Sequence, residues 1–278
     1  PNPSLKPDSL DWNLWLGPAR QKPYTPNLHP FNWRGWWEYG TGALGDVGCH
    51  LIDIPFRTLG LKYPKSAECS VGSVFTKMWN PDYHPEGCPP SSLITLNFDS
   101  TEKSKSPIEL TWTDGGIRPP HPDIIPADSD IGGPDSQNGV LMIGEKGIIS
   151  TNINDSSPLT PKLYLYDGQT EFGPETEDMP EPEYGHQRKW VDACKAGFRS
   201  KEHLDLTSSF DYAGPMTETV LMGNLAIRSY MLRNEKSNGG FDYYARKKLL
   251  WDGDNMKITN IEEANQFVTR EYREGWKI

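Results

Sequence analysis

Hydrophobic residues are scarce in this chain, at 35% of its 278 residues. No apolar run reaches the roughly 18 residues that a membrane-crossing helix needs. Positive charge is short as well. Against 38 Asp and Glu there are 28 Lys and Arg, giving a formal charge of −10 and a sequence pI near 5.1. That balance argues against nucleic acid or an anionic membrane surface as partner. The four cysteines, Cys49, Cys69, Cys88 and Cys194, show neither C-x-x-C pairing nor metal-ligand spacing. A domain of this size does not depend on disulfides, so free or buried thiols are expected. The acids between Glu171 and Glu183 lack the D-x-D-x-D-G spacing of a calcium loop and read as a solvated segment. Repeats and low-complexity tracts are absent. The chain opens on Pro1-Asn2-Pro3 and reads as a processed or trimmed product, which leaves a cytoplasmic or exported location equally open.

What is plentiful is glycine and proline, 26 and 25 residues, so loops must be long and numerous. Length alone allows one large domain or two modest ones.

The most informative stretch is WRGWWEYGTGALGDVGCHLID, Trp33 to Asp53. If residues 43–54 are helical, Asp46 and His50 stand i, i+4 and share a face. Asp53 falls close to the same stripe, while Leu44, Val47, Leu51 and Ile54 gather on a neighbouring one. Such a helix buries one side in a core and presents a carboxylate and an imidazole at a cleft edge. Imidazole suits proton transfer near neutrality, and a carboxylate one turn away can fix its tautomer. Arg34 is a forked donor for polyol hydroxyls or carboxylates, although an ion pair with Glu38 explains it equally well. Trp36 and Trp37 offer indole faces on which a sugar could stack, but neighbours in sequence point different ways, so at least one is expected in the core.

The same stretch matches G-x-G-x-x-G at Gly40, Gly42 and Gly45. That fingerprint has meaning only between a buried strand and a helix in a βαβ unit. Here bulky, charged WRGWWEY precedes it, Pro55 and Pro64 interrupt the chain beyond it, and Asp46 would face a docked pyrophosphate. A nucleotide fingerprint is therefore rejected in favour of a glycine turn.

Along the rest of the chain, residues 1–32 form an extended, Pro- and Trp-rich leading segment, with residues 33–278 as the domain proper. Strands are predicted within Ala67–Trp79, at Leu93–Phe98 with Ile94, Leu96 and Phe98 on one face, and at Ile108–Trp112. Residues 113–138 make a long Gly-, Pro- and Asp-rich loop. A hairpin pairs Val140–Ile143 with Ile148–Thr151 around Gly144–Gly147, and Lys162–Tyr166 adds a strand. Helices are predicted near His186–Ala196, from a first-turn Pro215 to Leu232, and from an Asn260 cap to Arg273. Strands followed by segregated helices give an α+β fold: an open, mainly antiparallel sheet with helices packed on one face.

Four segments taken together, DWNLWLGPA at 11–19, WRGWWEYGTGALGDVGCH at 33–50, GEKG at 144–147 and DYAGPMTETVLMGNLAIRS at 211–229, carry a resemblance. They resemble the C-terminal domain of the glucose–fructose oxidoreductase, inositol dehydrogenase and rhizopine-catabolism (Gfo/Idh/MocA) family, in its bacterial, tryptophan-rich subgroup. The resemblance implies an NAD(P)-dependent sugar or polyol oxidoreductase, with NAD or NADP held mainly by an N-terminal Rossmann domain. It implies that Asp46 and His50 assist proton transfer at the hydroxyl being oxidised. The nucleotide-binding domain and its Glu-Lys-Pro motif are not in this sequence, so the chain is expected to be half an enzyme.

The site expected from these readings has His50 and Asp46 as catalytic residues, with Arg34, Trp37, Asp53, Arg118 and His186 toward substrate. His29, His84, His121 and His203 lie in or beside polar, proline-rich segments and are weaker candidates. Two other functions stay open: a carbohydrate-binding and oligomerisation domain without redox chemistry, and a glycoside-processing enzyme using transient oxidation. A homo-oligomer built through an apolar sheet face is expected as well.

Overall fold

The computed structural model describes residues 6–26, 28, 31–127, 131, 138–152, 161–172 and 184–276. They fall into two compact units. The first comprises Pro1–Cys49, Lys62–Arg118 and Glu218–Ile278, and the second His50–Leu61 and Pro119–Thr217. In chain order the helices are α1 (Trp12–Leu16), α2 (Gly42–Leu51), α3 (Asp53–Leu59), α4 (Gly185–Ala196), α5 (Lys201–Leu204) and α6 (Phe210–Tyr230). The strands are β1 (Ser66–Val71), β2 (Ser92–Phe98), β3 (Ile108–Thr113), β4 (Gly139–Ile143), β5 (Gly147–Asn152), β6 (Lys162–Leu165), β7 (Thr170–Phe172), β8 (Asn234–Glu235), β9 (Phe241–Asp242), β10 (Leu249–Asp252) and β11 (Lys257–Ile258).

The first unit is built on a five-stranded antiparallel sheet in the order β11-β10-β1-β2-β3. Register places Leu249 against Ala67, Ala67 against Leu96, and Ile94 against Trp112, so one face is apolar throughout. The expected alternation in β2 holds, with Ile94, Leu96 and Phe98 buried. Helices cover this face. A Cβ added at Gly223 of α6 would sit 2.4 Å from Leu44 Cδ2 of α2 and 3.3 Å from Ile94 Cγ2. Only glycine lets helix, helix and strand converge there. The opposite face carries Glu68, Thr95, Asn97, Glu109 and Thr111, with Leu93 and Leu250 as its exposed apolar residues. The apolar, aromatic outer face expected from sequence is therefore a largely polar ladder. Beside this sheet, β8 and β9 form a two-stranded antiparallel ribbon.

The leading segment is not simply extended. Asp11 caps α1 by accepting from the Leu14 amide, and Trp12 stacks on Trp15 with ring centroids 4.5 Å apart. Leu16, Leu28, Tyr24 and Tyr39 complete that cluster. Arg273 ties it down by donating to the carbonyls of Asn13 and Gly17.

The second unit contains the four-stranded antiparallel sheet β4-β5-β6-β7, with the predicted hairpin closed at Gly144–Gly147. Among the described residues its core is formed by Ile148 and Tyr164 from the sheet, with Ile125 and Ile131 from the long loop, flanked by Ile124 and Leu141.

Several predicted boundaries move. The helix expected over 43–54 is two helices, because Pro55 has no N–H to continue the ladder and the chain breaks at Ile52. Pro215 lies inside α6, which begins at Phe210, so it is not a first-turn proline. Asn260 is not a helix cap. Its side chain accepts from the Leu250 amide and donates to the Lys248 carbonyl, holding β10, and the next helix is a short 3-10 turn at Glu262–Phe267. Leu44 and Leu51 are buried as expected, and Val47 and Ile54 are half-buried.

Candidate functional site

The glycines of the Gly40–Gly45 turn serve packing. A Cβ at Gly40 would lie 2.5 Å from the Arg34 Cα, and Gly42, at φ +66, has Cys88 Sγ 2.9 Å from where its Cβ would be. Both positions need glycine for close approach, the second for its left-handed backbone too. Just upstream, Trp36 pairs with Gly87 in an isolated antiparallel bridge, and the Trp37 amide donates to the Glu86 carbonyl. The turn is thus wedged against segment 86–88. It follows no parallel strand, and among the described residues every paired strand is antiparallel. The Gly40–Gly45 turn therefore does not fit a dinucleotide pyrophosphate.

With the turn so held, Arg34 reaches the second turn of α2. Its guanidinium donates to the Asp46 carboxylate and lies 3.7 Å from the centroid of the Phe31 ring. Both members of the pair are more than a third exposed on their side chains. Glu38, the alternative partner for Arg34, is engaged elsewhere. It accepts from the Arg20 amide and pairs with the guanidinium groups of Arg20 and Arg270. His50 is exposed, one helical turn beyond Asp46 in α2, and its imidazole makes no hydrogen bond among the described residues. Cys49 beside it is exposed, its thiol facing the Asp46 carbonyl at 3.7 Å.

Asp53 opens α3 in the second unit. There it accepts a hydrogen bond from the Tyr212 hydroxyl, and Arg57 approaches at 3.8 Å. The Arg57 guanidinium also lies 4.3 Å from the centroid of the Tyr212 ring. Burial first, and then the bond to Asp53, push the Tyr212 phenol up to about 12. Asp53 is accordingly a buttress between α3 and the start of α6 as well as a site candidate.

The remaining candidates are spread out. Trp37 is half-buried, with the Arg228 guanidinium 5.9 Å from its ring centroid. Arg118 is exposed after β3 in the first unit, and His186 is exposed near the start of α4 in the second. His121 is exposed, with Nδ1 3.2 Å from the Pro122 carbonyl. His29 and residues 173–183 lie outside the described residues. Cys69 and Cys88 are pushed up to about 12 by burial, so neither is a ready nucleophile.

Sequence reading passed over two residues, Asn224 and Arg228 of α6. Asn224 is buried, with neither amide atom hydrogen-bonded, and Arg228 contacts the rings of Phe267 and Trp37 without a carboxylate partner. Their signal was in the sequence: two polar residues spaced i, i+4 inside the apolar run Val220–Ile227 and its edge.

Helices on one face of an antiparallel sheet define an α+β scaffold. Residues 2–70, about a quarter of the 278, match the family model described as "Oxidoreductase family, C-terminal alpha/beta domain" (GFO_IDH_MocA_C2). The match supports an oxidoreductase role. No curated protein matches the chain. No helix among the described residues is long and apolar enough to cross a membrane.

Proposed function

We propose that this chain is the substrate-binding, catalytic-half domain of an NAD(P)-dependent sugar or polyol oxidoreductase, with residues 33–278 forming that domain behind the leading segment 1–32. The observation that carries the reading is α2 itself: an exposed His50 one turn from an Asp46 already holding Arg34, in the segment that matches the oxidoreductase family model. Removing hydrogen from a secondary alcohol requires the hydroxyl proton to leave. His50 takes or relays that proton, and Asp46 supports the imidazole electrostatically. Arg34 stays fixed by Asp46 and turns its remaining donors toward substrate oxygens. The nicotinamide cofactor would be held mainly by the nucleotide-binding domain and not by the glycine turn, which is filled by packing.

The test is kinetic, on the holoenzyme carrying its nucleotide-binding domain. A panel of sugars and polyols is screened for turnover, and His50→Ala is compared with wild type on the substrate found. The expected loss in kcat is roughly 10²–10⁴-fold. Asp46→Asn is expected to lower kcat with the fold intact, because its side chain is over a third exposed. Wild-type turnover in His50→Ala would sink the assignment.

We further propose a homo-oligomer through the uncovered face of the five-stranded sheet, where Leu93 and Leu250 are 38% and 46% exposed. Light scattering of wild type and Leu250→Lys checks this. A monomer at high concentration defeats it.

A further inference from the structure

Buried polar atoms without partners are uncommon, and each requires an explanation. Asn224 is 4% exposed, and both its amide oxygen and its amide nitrogen lack a hydrogen-bond partner. One turn on, Arg228 is half-buried and its guanidinium forms no hydrogen bond or ion pair among the described residues. Spacing of i, i+4 puts both on one face of α6, and a helical side chain leans toward the N-terminus, so Arg228 leans over Asn224.

The surroundings supply no acid in contact, although the charge of Glu38 acts on the guanidinium from a distance. Glu38 is committed to Arg20 and Arg270, and Asp114 accepts from the Ser92 amide, the Ser92 hydroxyl and the Trp112 indole. The Arg228 guanidinium lies 4.3 Å from the ring centroid of Phe267 and 5.9 Å from that of Trp37. Burial, and then repulsion from Arg20, disfavour its charge. An arginine in the last turn of a helix complements the dipole there, but that role concerns Arg228 alone. It leaves the bare Asn224 amide unexplained.

We propose that Asn224 and Arg228, flanked by Trp37 and Phe267, form a binding site for an oxyanion, a carboxylate or phosphate borne by a small ligand. Two guanidinium donors and the Asn224 amide N–H converge on the anion, while the amide oxygen accepts a neighbouring hydroxyl. The Trp37 indole supplies an apolar wall for a sugar ring. Joined to the function proposed above, on which this extension rests, the site makes the substrate a sugar acid or sugar phosphate.

The experiment is a binding measurement on the 278-residue chain and needs no turnover, so it is decided separately from the His50 test. Glucuronate, inorganic phosphate and uncharged glucose are titrated calorimetrically and by thermal shift, with wild type, Arg228→Gln and Asn224→Asp. Glucuronate or phosphate is expected to bind and raise Tm in wild type, and the better of the two identifies the group recognised. Arg228→Gln is expected to weaken that binding roughly 10- to 100-fold, the usual effect of a lost charge-assisted bond. Asn224→Asp places a carboxylate beneath Arg228, so it is expected to raise Tm while abolishing anion binding. A purely structural Asn224 would respond oppositely, with a buried new charge lowering Tm. The proposal is overturned if neither anion shifts the wild-type Tm, if Arg228→Gln binds them as wild type does, or if Asn224→Asp only destabilises. Should Arg228→Gln fail to fold, the wild-type anion shift and Asn224→Asp still decide.

Discussion

The two larger sheets are both antiparallel, yet their described residues are covered in different ways. In the five-stranded sheet Ile94, Leu96, Leu249 and Ile258 reach zero exposure, beneath a face that α2 and α6 share. In the four-stranded sheet the described core takes its cover from loop residues Ile124, Ile125 and Ile131, with α3 approaching only at β4, and Ile143 at the strand end stays 71% exposed. A helix delivers a side chain to the core at a regular period, whereas a proline-rich loop delivers only what its turns happen to aim inward. Stability should therefore be uneven along the chain. The Arg34–Asp46 pair sits in the better-packed unit, on the helix whose Leu44 is 1% exposed. Groups that must hold a substrate gain precision from such a support.

This contrast is most easily broken at Leu44. Leu44→Ala removes a side chain wedged against α6 and is expected to cost about 2–5 kcal/mol in urea unfolding. Ile148→Ala, in the smaller core, is expected near the lower end, about 2 kcal/mol, because a loop can settle into the space. Amide exchange offers the direct comparison. Protection in β2 should exceed protection in β5, and equal protection would show that the loop covers its sheet as firmly as the helices cover theirs.

A smaller effect separates position from stability at Arg34. Its pair with Asp46 is over a third exposed at both ends, so Arg34→Gln is expected to cost less than about 1 kcal/mol. In the holoenzyme the same change should raise KM more than it lowers kcat, if Arg34 meets the substrate in both ground and transition states. A drop in kcat alone would instead assign it to holding Asp46.

The regular parts of this fold were legible because period and burial agree. Alternation in β2, the hairpin at Gly144–Gly147 and the helix at residues 185–196 all arise from local patterns. What could not be read was decided by distant partners. Asn260 has every local mark of a helix cap, yet the amide of Leu250 claims its side chain. Pro215 looked like a helix start, but the turn it interrupts is held in a helix that begins at Phe210. At the candidate site, sequence named Arg34 and Asp46 separately; their union depends on the turn at Gly40–Gly42 folding onto Cys88. Asn224 and Arg228 escaped because an apolar helix is read for its apolar residues.

The smallest expected effect lies in the second unit, at the Tyr212–Asp53 bond. Only the neutral phenol can donate to the Asp53 carboxylate, and ionisation would set two negative charges side by side. The folded-state value of about 12 exceeds the ordinary 10, with burial the first cause and Asp53 the second. A folded value raised above the unfolded one favours folding while the phenol is protonated in both states. The contribution is therefore complete below about pH 10 and is lost as pH rises toward 12. Cys69 and Cys88 titrate toward the same limit and would blur a wild-type profile taken alone. The quantity to track is the stability difference between wild type and Tyr212→Phe, measured by urea unfolding from about pH 8 to about pH 12. It should be constant up to about pH 10 and then decline, because Phe keeps the edge-on contact with Phe56 but has no proton to lose. A difference that stays flat through the whole range would mean that the hydroxyl contributes nothing to joining α3 to the start of α6, leaving the ring contact with Phe56 to hold them.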